Sequence, residues 1–345
     1  MTELRGLATG IGSLPYKDPQ QALDLIFKCT PEIPFWPQLP RRDVREGMVA
    51  QFSENLPYLK VSPEGLSFSA VEARDKDLEL FYERIIANDT DYFRISESFA
   101  AGLYGFYQRL EKEDLGKVKF IKCQITGPFS FAASIKDEGG VALLHDAVFM
   151  QVIFKGLLMK ALWQIKLFEK FGKKIIIFID EPYLSAFGSA YTAINREDVV
   201  NGLSELAAGI KSRGALVGVH CCGNTDWSIF VDTKDIDIIN FDAFDYQEKF
   251  VLYADNLKDF LQRGGNICWG IVPTQNFSGK ETPDLLAGKL SDGINALAKK
   301  GLDKDKLQKQ MFLSPACGLG SLEPEKAEKI FKLLSETSAF IRKSL

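Results

Sequence analysis

Eight short apolar runs, each followed by a stretch with helical spacing, limit what this chain can become. They fall at about 7–13, 35–40, 118–126, 174–179, the run into His220, 236–242, 266–272 and 311–314. Runs without polar alternation read as strands covered on both faces, and their alternation with amphipathic helices implies a parallel sheet. Eight of them predict an α/β protein with a closed (β/α)8 TIM barrel, with a doubly wound open sheet as the alternative. The stretch 54–117 breaks the rhythm and reads as an insertion after the second strand, with a hairpin near 58–68 and helices around 70–88 and 98–110. Barrels of this kind routinely reach 345 residues as one unit, so the expectation is a single catalytic domain over 1–345.

In such a barrel chemistry sits where the strands stop. The stops here are Gly12-Ser13, Gln38, Gly127-Pro128, Asp180-Glu181-Pro182, His220-Cys221-Cys222, Asp242, Pro273-Thr274 and Cys317-Gly318. On an extended segment, His220 and Cys222 stand two apart and point to the same side, so an imidazole nitrogen and a sulfur can meet one metal ion. Cys317, at the end of the last run, is the candidate third ligand. Sulfur and imidazole together favour zinc over magnesium or calcium, and three protein ligands leave a position open for chemistry.

Blander readings stand beside these. A packed core His and Cys would also explain the pair at 220 and 222, and Asp180-Glu181-Pro182 could be only a turn ahead of a helix. Cys221 faces the other way, and Cys29, Cys123 and Cys268 lie in apolar runs as expected for buried thiols. His145 reads as a surface residue, and Trp36 and Trp269 as core.

Composition removes several classes. A net charge of -4 without a basic block argues against nucleic acid as a partner. The first residues lack the apolar core of a secretion signal, and no run of about 18 apolar residues is evident, so no membrane span is expected. With six cysteines then expected as thiols or ligands, the sequence reads as cytoplasmic. Only two histidines argue against a multi-histidine hydrolase.

The motifs Ile11-Gly-Ser-Leu-Pro15, Ile179-Asp-Glu-Pro182, His220-x-Cys222 and Pro315-Ala-Cys-Gly318 occur in the order found in the catalytic barrel of cobalamin-independent methionine synthase, which this chain resembles over nearly its whole length. The segment from His220 to Thr225 is also similar to the His-x-Cys-Gly segment of methylcorrinoid:coenzyme M methyltransferases, in the uroporphyrinogen decarboxylase-like superfamily. The resemblance implies zinc held by His220, Cys222 and Cys317. It implies methyl transfer to a thiol, homocysteine above all, with Asp180 as the catalytic residue that binds the substrate ammonium, and Gly12, Ser13 and Gln38 around the substrate.

Where the chain departs from that family, the expectation changes. Asp242 stands where the family has a glutamate ligand, and Asp245 and Glu248 compete with it. The family's acid after the second strand finds no match at Gln38-Leu-Pro-Arg-Arg42, and Pro273-Thr274 replaces a proton-relay histidine. One barrel, without the second that serves a folate donor, points to a methylated corrinoid protein as donor. The alternatives are a coenzyme M-type methyltransferase and a decarboxylase-like lyase, for which Arg41, Arg42 and Arg45 would supply cations. A non-catalytic zinc or corrinoid-binding protein is a third class.

Overall fold

The computed structural model describes residues 4–68, 74–189 and 194–344. A hairpin, β1 (Leu59–Ser62) and β2 (Gly65–Phe68), precedes six parallel strands. These are β3 (Phe120–Thr126), β4 (Lys174–Asp180), β5 (Leu216–Cys221), β6 (Ile238–Phe241), β7 (Asn266–Val272) and β8 (Met311–Pro315), paired in chain order. They are buried on both faces, as the unbroken apolar runs require.

The sheet has six strands where the sequence suggested a closed ring of eight. The two missing strands are extended segments tied at single points. Ala8 bridges Leu313 on β8, Ser13 bridges Gln38, and Phe35 bridges Lys122 on β3, so the sheet curls and the two segments span its edges. Pro34, Pro37 and Pro40 explain the interruption in the second segment, since each lacks the N–H that a ladder needs. In the first segment Gly10 leaves room for Phe35: a Cβ there would lie 2.2 Å from its ring.

Between the second segment and β3 stand the hairpin and the helices Arg74–Ile86 and Ala101–Lys112. The expected helix start at 70–73 lies outside the described residues. Helix Ala101–Lys112 packs on helix Pro19–Cys29, with Arg109 reaching Asp24 at 2.8 Å, so the irregular stretch contributes to the helical shell. The long helix Ala147–Phe168 belongs to the one described stretch, Ala147–Phe171, that is by length and composition long and apolar enough to cross a membrane. Here it is packed, and its buried Lys160 donates to the Glu54 carbonyl at 2.7 Å.

Register positions the site. Stepping by two along the inner face, β3 runs Phe120, Lys122, Gln124, β4 runs Ile176, Phe178, Asp180, and β5 runs Gly218, His220, Cys222, while β6 runs Ile238, Asn240, Asp242. Phe120, Ile176, Phe178, Ile238, Cys268 and Phe312 form one apolar cluster at the floor. Gly218 belongs there because a Cβ would sit 2.4 Å from the Phe178 ring. Above the floor each strand turns polar, and the metal-binding types come last.

Candidate metal centre

His220 and Cys222 lie at and just past the end of β5, and Cys317 just past β8. Their ligand atoms all lie within 4.8 Å of one another. His220 is buried and both cysteines are half-buried. The imidazole Nδ1 pairs with Asn240 Oδ1, and Nε2 is buried without a hydrogen-bond partner. A buried nitrogen left over beside two sulfurs is what a soft cation would complete, so the donor set fits zinc.

Charge agrees with that fit. A hydrogen bond from Cys317 holds the Cys222 thiol down, and the Cys222 side chain together with burial pushes Cys317 up. The two sulfurs thus stand close enough to share one proton, and a cation between them would take both as thiolates. Burial drags on His220, but the Cys222 thiolate, Asp180 and Asn240 outweigh it and leave the imidazole above its usual value.

Asp242 stands outside this cluster. Its Oδ1 caps the helix Ala243–Phe250 by accepting from Phe244 N and Asp245 N, each at 3.0 Å, and burial raises its carboxyl to about 6. Asp245 and Glu248 are also outside the group of three.

A cavity of about 290 Å³ opens over the three donors and reaches Ser13, Gln38 and Asp180. Asp180 is buried with Oδ1 unpartnered. Burial raises its carboxyl, partly offset by His220 and by Lys122 beneath it. Ser13 Oγ accepts from Gly320 N at 3.2 Å, and Ser13 O accepts from Leu319 N at 2.9 Å, which ties the first segment to the Cys317 loop. Gly12 serves by closeness, since a Cβ there would lie 2.9 Å from Gln38 Oε1. Gln38 Nε2 in turn donates to Gln51 Oε1 at 2.7 Å.

Glu181 faces away from the cavity. Oε1 accepts from Phe129 N at 3.0 Å, and Oε2 accepts from Ser130 N and Ser130 Oγ at 2.8 and 2.7 Å. It braces the turn after β3. His145 is exposed, and Cys29, Cys123, Cys221, Cys268, Trp36 and Trp269 are buried.

Sequence reading missed Glu46. It lies in a short 3₁₀ turn, Val44–Glu46, beyond the place searched for an acid after the second segment. Its side chain is fully buried and lines the cavity. Oε1 accepts from Arg42 Nη1 at 2.6 Å, while Oε2 has no hydrogen-bond partner. Burial outweighs Arg42 and raises its carboxyl to about 6. Thr126, at the end of β3, donates to the Met48 carbonyl and holds the turn in place. The only sequence signal was an acid among three arginines, which reads equally well as a solvated charge run.

No family model matches the chain, and no curated protein matches it. Solved structures do. A B12-independent methionine synthase from Shewanella sp. W3-18-1, in complex with selenomethionine, superposes with a TM-score of 0.57. The match covers 99% of this chain and 98% of that one at 16% identity. The two share a fold. A D-psicose 3-epimerase solved in the presence of D-fructose gives a TM-score of 0.37 at 12% identity, over 76% of this chain and 86% of that one. That likeness is too loose to use.

Proposed function

We propose that this chain is a cytoplasmic, zinc-dependent methyltransferase that methylates an aminothiol, homocysteine, to give methionine, with a methylcorrinoid protein as donor. One observation carries the reading: two sulfurs and an imidazole nitrogen gather at the floor of a cavity whose other buried charges are the carboxylates of Asp180 and Glu46. When bound, zinc would hold the substrate sulfur as a thiolate at neutral pH, which a free thiol is not. The synthase of the same fold, solved with selenomethionine, agrees with a methionine-sized ligand.

The chain's own groups then divide the work. His220, Cys222 and Cys317 would hold the metal. Asp180 Oδ1 and Glu46 Oε2, each buried and unpartnered, suit an ammonium group. The Ser13 hydroxyl keeps its own proton to donate toward a carboxylate. Held in line, the substrate sulfur forms the new S–C bond while the electron pair of the broken bond stays with the donor.

Charge favours homocysteine over the alternatives. Arg41, Arg42 and Arg45 already face Glu323, Glu46 and Asp43 at 3.0, 2.6 and 2.7 Å. A sulfonated thiol or a polycarboxylate would need cations that these pairs have taken. After β7 the cavity meets Gln275, which offers no imidazole to protonate an amine leaving group. A corrinoid departs without a proton. This supports it over a folate.

Zinc X-ray absorption with and without L-homocysteine tests the proposal. The expected change is replacement of a nitrogen or oxygen neighbour by a third sulfur at about 2.3 Å. A spectrum that ignores homocysteine but responds to coenzyme M would move the substrate. No zinc, or no response to any thiol, would sink the reading.

A further inference from the structure

Asn240 is fully buried on β6, beside β5, which carries His220, and one strand removed from β8, which leads to Cys317. All of its amide valences are used. Nδ2 donates to the Cys268 carbonyl on β7 and to Ser314 Oγ on β8, each at 2.9 Å. Ser314 Oγ spends its own proton on the Pro315 carbonyl at 2.8 Å, so toward Asn240 it can only accept. Both neighbours of Nδ2 are therefore acceptors, and the amide cannot be turned over without setting oxygen against oxygen. Oδ1 must face His220.

That orientation fixes the histidine. An amide oxygen can only accept, so Nδ1 of His220 carries the proton, and a neutral ring then has its lone pair on Nε2, the nitrogen without a partner. The same side chain pins β8 three residues before Cys317. We propose that Asn240 is the positioning residue of this centre: it selects the His220 tautomer that offers Nε2 to the metal and holds the His220 and Cys317 strands in register. The inference rests on the zinc reading above and assigns Asn240 no contact with substrate. Among the inner-face residues at the end of β6 it lies one step below Asp242, so this strand supplies a brace beneath the site.

The test uses the whole chain with zinc bound. It has only two histidines, and the exposed His145 serves as an internal control, so ¹⁵N-histidine NMR reads the two rings separately. Zinc-loaded wild type should show Nδ1 protonated and Nε2 metal-bound. In Asn240→Leu, which keeps the branched outline and removes the acceptor, zinc affinity measured by chelator competition should fall about 10- to 100-fold. Asn240→Asp keeps an acceptor toward Nδ1 but sets its second oxygen against the Cys268 carbonyl, so it should recover only part of that loss while the NMR still shows Nδ1 protonated, which a purely structural role would not predict. Zinc coordination through Nδ1 in wild type overturns the proposal even if Asn240→Leu fails to fold. So does a folded Asn240→Leu with unchanged affinity. A wild-type chain that binds no zinc overturns the metal reading itself, and with it this role for Asn240.

Discussion

The two walls of the cavity are made differently. The metal wall hangs from β5 and β8, ladder-paired strands that carry His220 and lead directly into Cys222 and Cys317. Apart from Asp180 at the end of β4, the substrate wall comes from two extended segments and the turn at 44–48, held to the sheet by single bridges and by Thr126. A ladder transmits the period of the sequence to side-chain direction. A segment tied at points takes its direction from whatever packs on it, so the sulfurs are legible at a distance and the substrate-side carboxylate is not.

The largest effect should come from breaking the metal wall. Cys317→Ser removes one of three donors, and zinc content and thiol alkylation should fall together, by on the order of 100-fold in affinity. Cys268→Ser, on the neighbouring strand β7 but buried in the floor cluster, should leave both nearly unchanged. Equal zinc content in the two variants would make Cys317 an ordinary loop thiol.

Breaking the substrate wall should leave the metal in place. Glu46→Gln should raise KM for homocysteine about 10- to 100-fold at full zinc occupancy, the weight of a hydrogen bond between charged groups. Asp180→Asn should move KM in the same direction. Loss of zinc from Asp180→Asn would place that residue in the support of the metal instead. The Glu46 carboxyl titrates at about 6, so KM in wild type should fall as pH rises through that value, and the inflection should vanish in Glu46→Gln. Stability runs the opposite way. A carboxyl raised by folding binds its proton more tightly in the native state, so this residue's contribution declines as pH climbs from the ordinary carboxylate range through about 6. Urea midpoints at pH 5 and pH 7 would read it.

The smallest effect concerns the joint between the walls. Gly127→Ala would set a Cβ 2.1 Å from Glu181 Cδ, and should cost about 1–3 kcal/mol in thermal unfolding without changing zinc content. A neutral result would mean that the Glu181 brace can shift.

Much of this was visible in the residues. The parallel sheet followed from unbroken apolar runs, and the grouping of His220, Cys222 and Cys317 followed from period two and the ends of strands. Ser13, Gln38 and Asp180 also came to the cavity. The ladder of eight did not form, because three prolines in the second segment withhold N–H groups; proline marks such a break, and its weight was underestimated against the apolar pattern. Asp242 was singled out for its position at the end of β6, yet a helix begins at once after it and uses the carboxylate as its cap. Glu46 was missed because an acid in an arginine-rich turn looks solvated until packing buries it.

The proton shared by Cys222 and Cys317 has a calorimetric consequence. A cation entering between them takes both sulfurs as thiolates and His220 as a neutral ring, so loading the site expels the Cys317 proton and, wherever the imidazole is charged, a second one. The measured heat of zinc binding should therefore scale with the ionisation enthalpy of the buffer. The slope of that plot counts the protons released, and zinc should bind more tightly as pH rises.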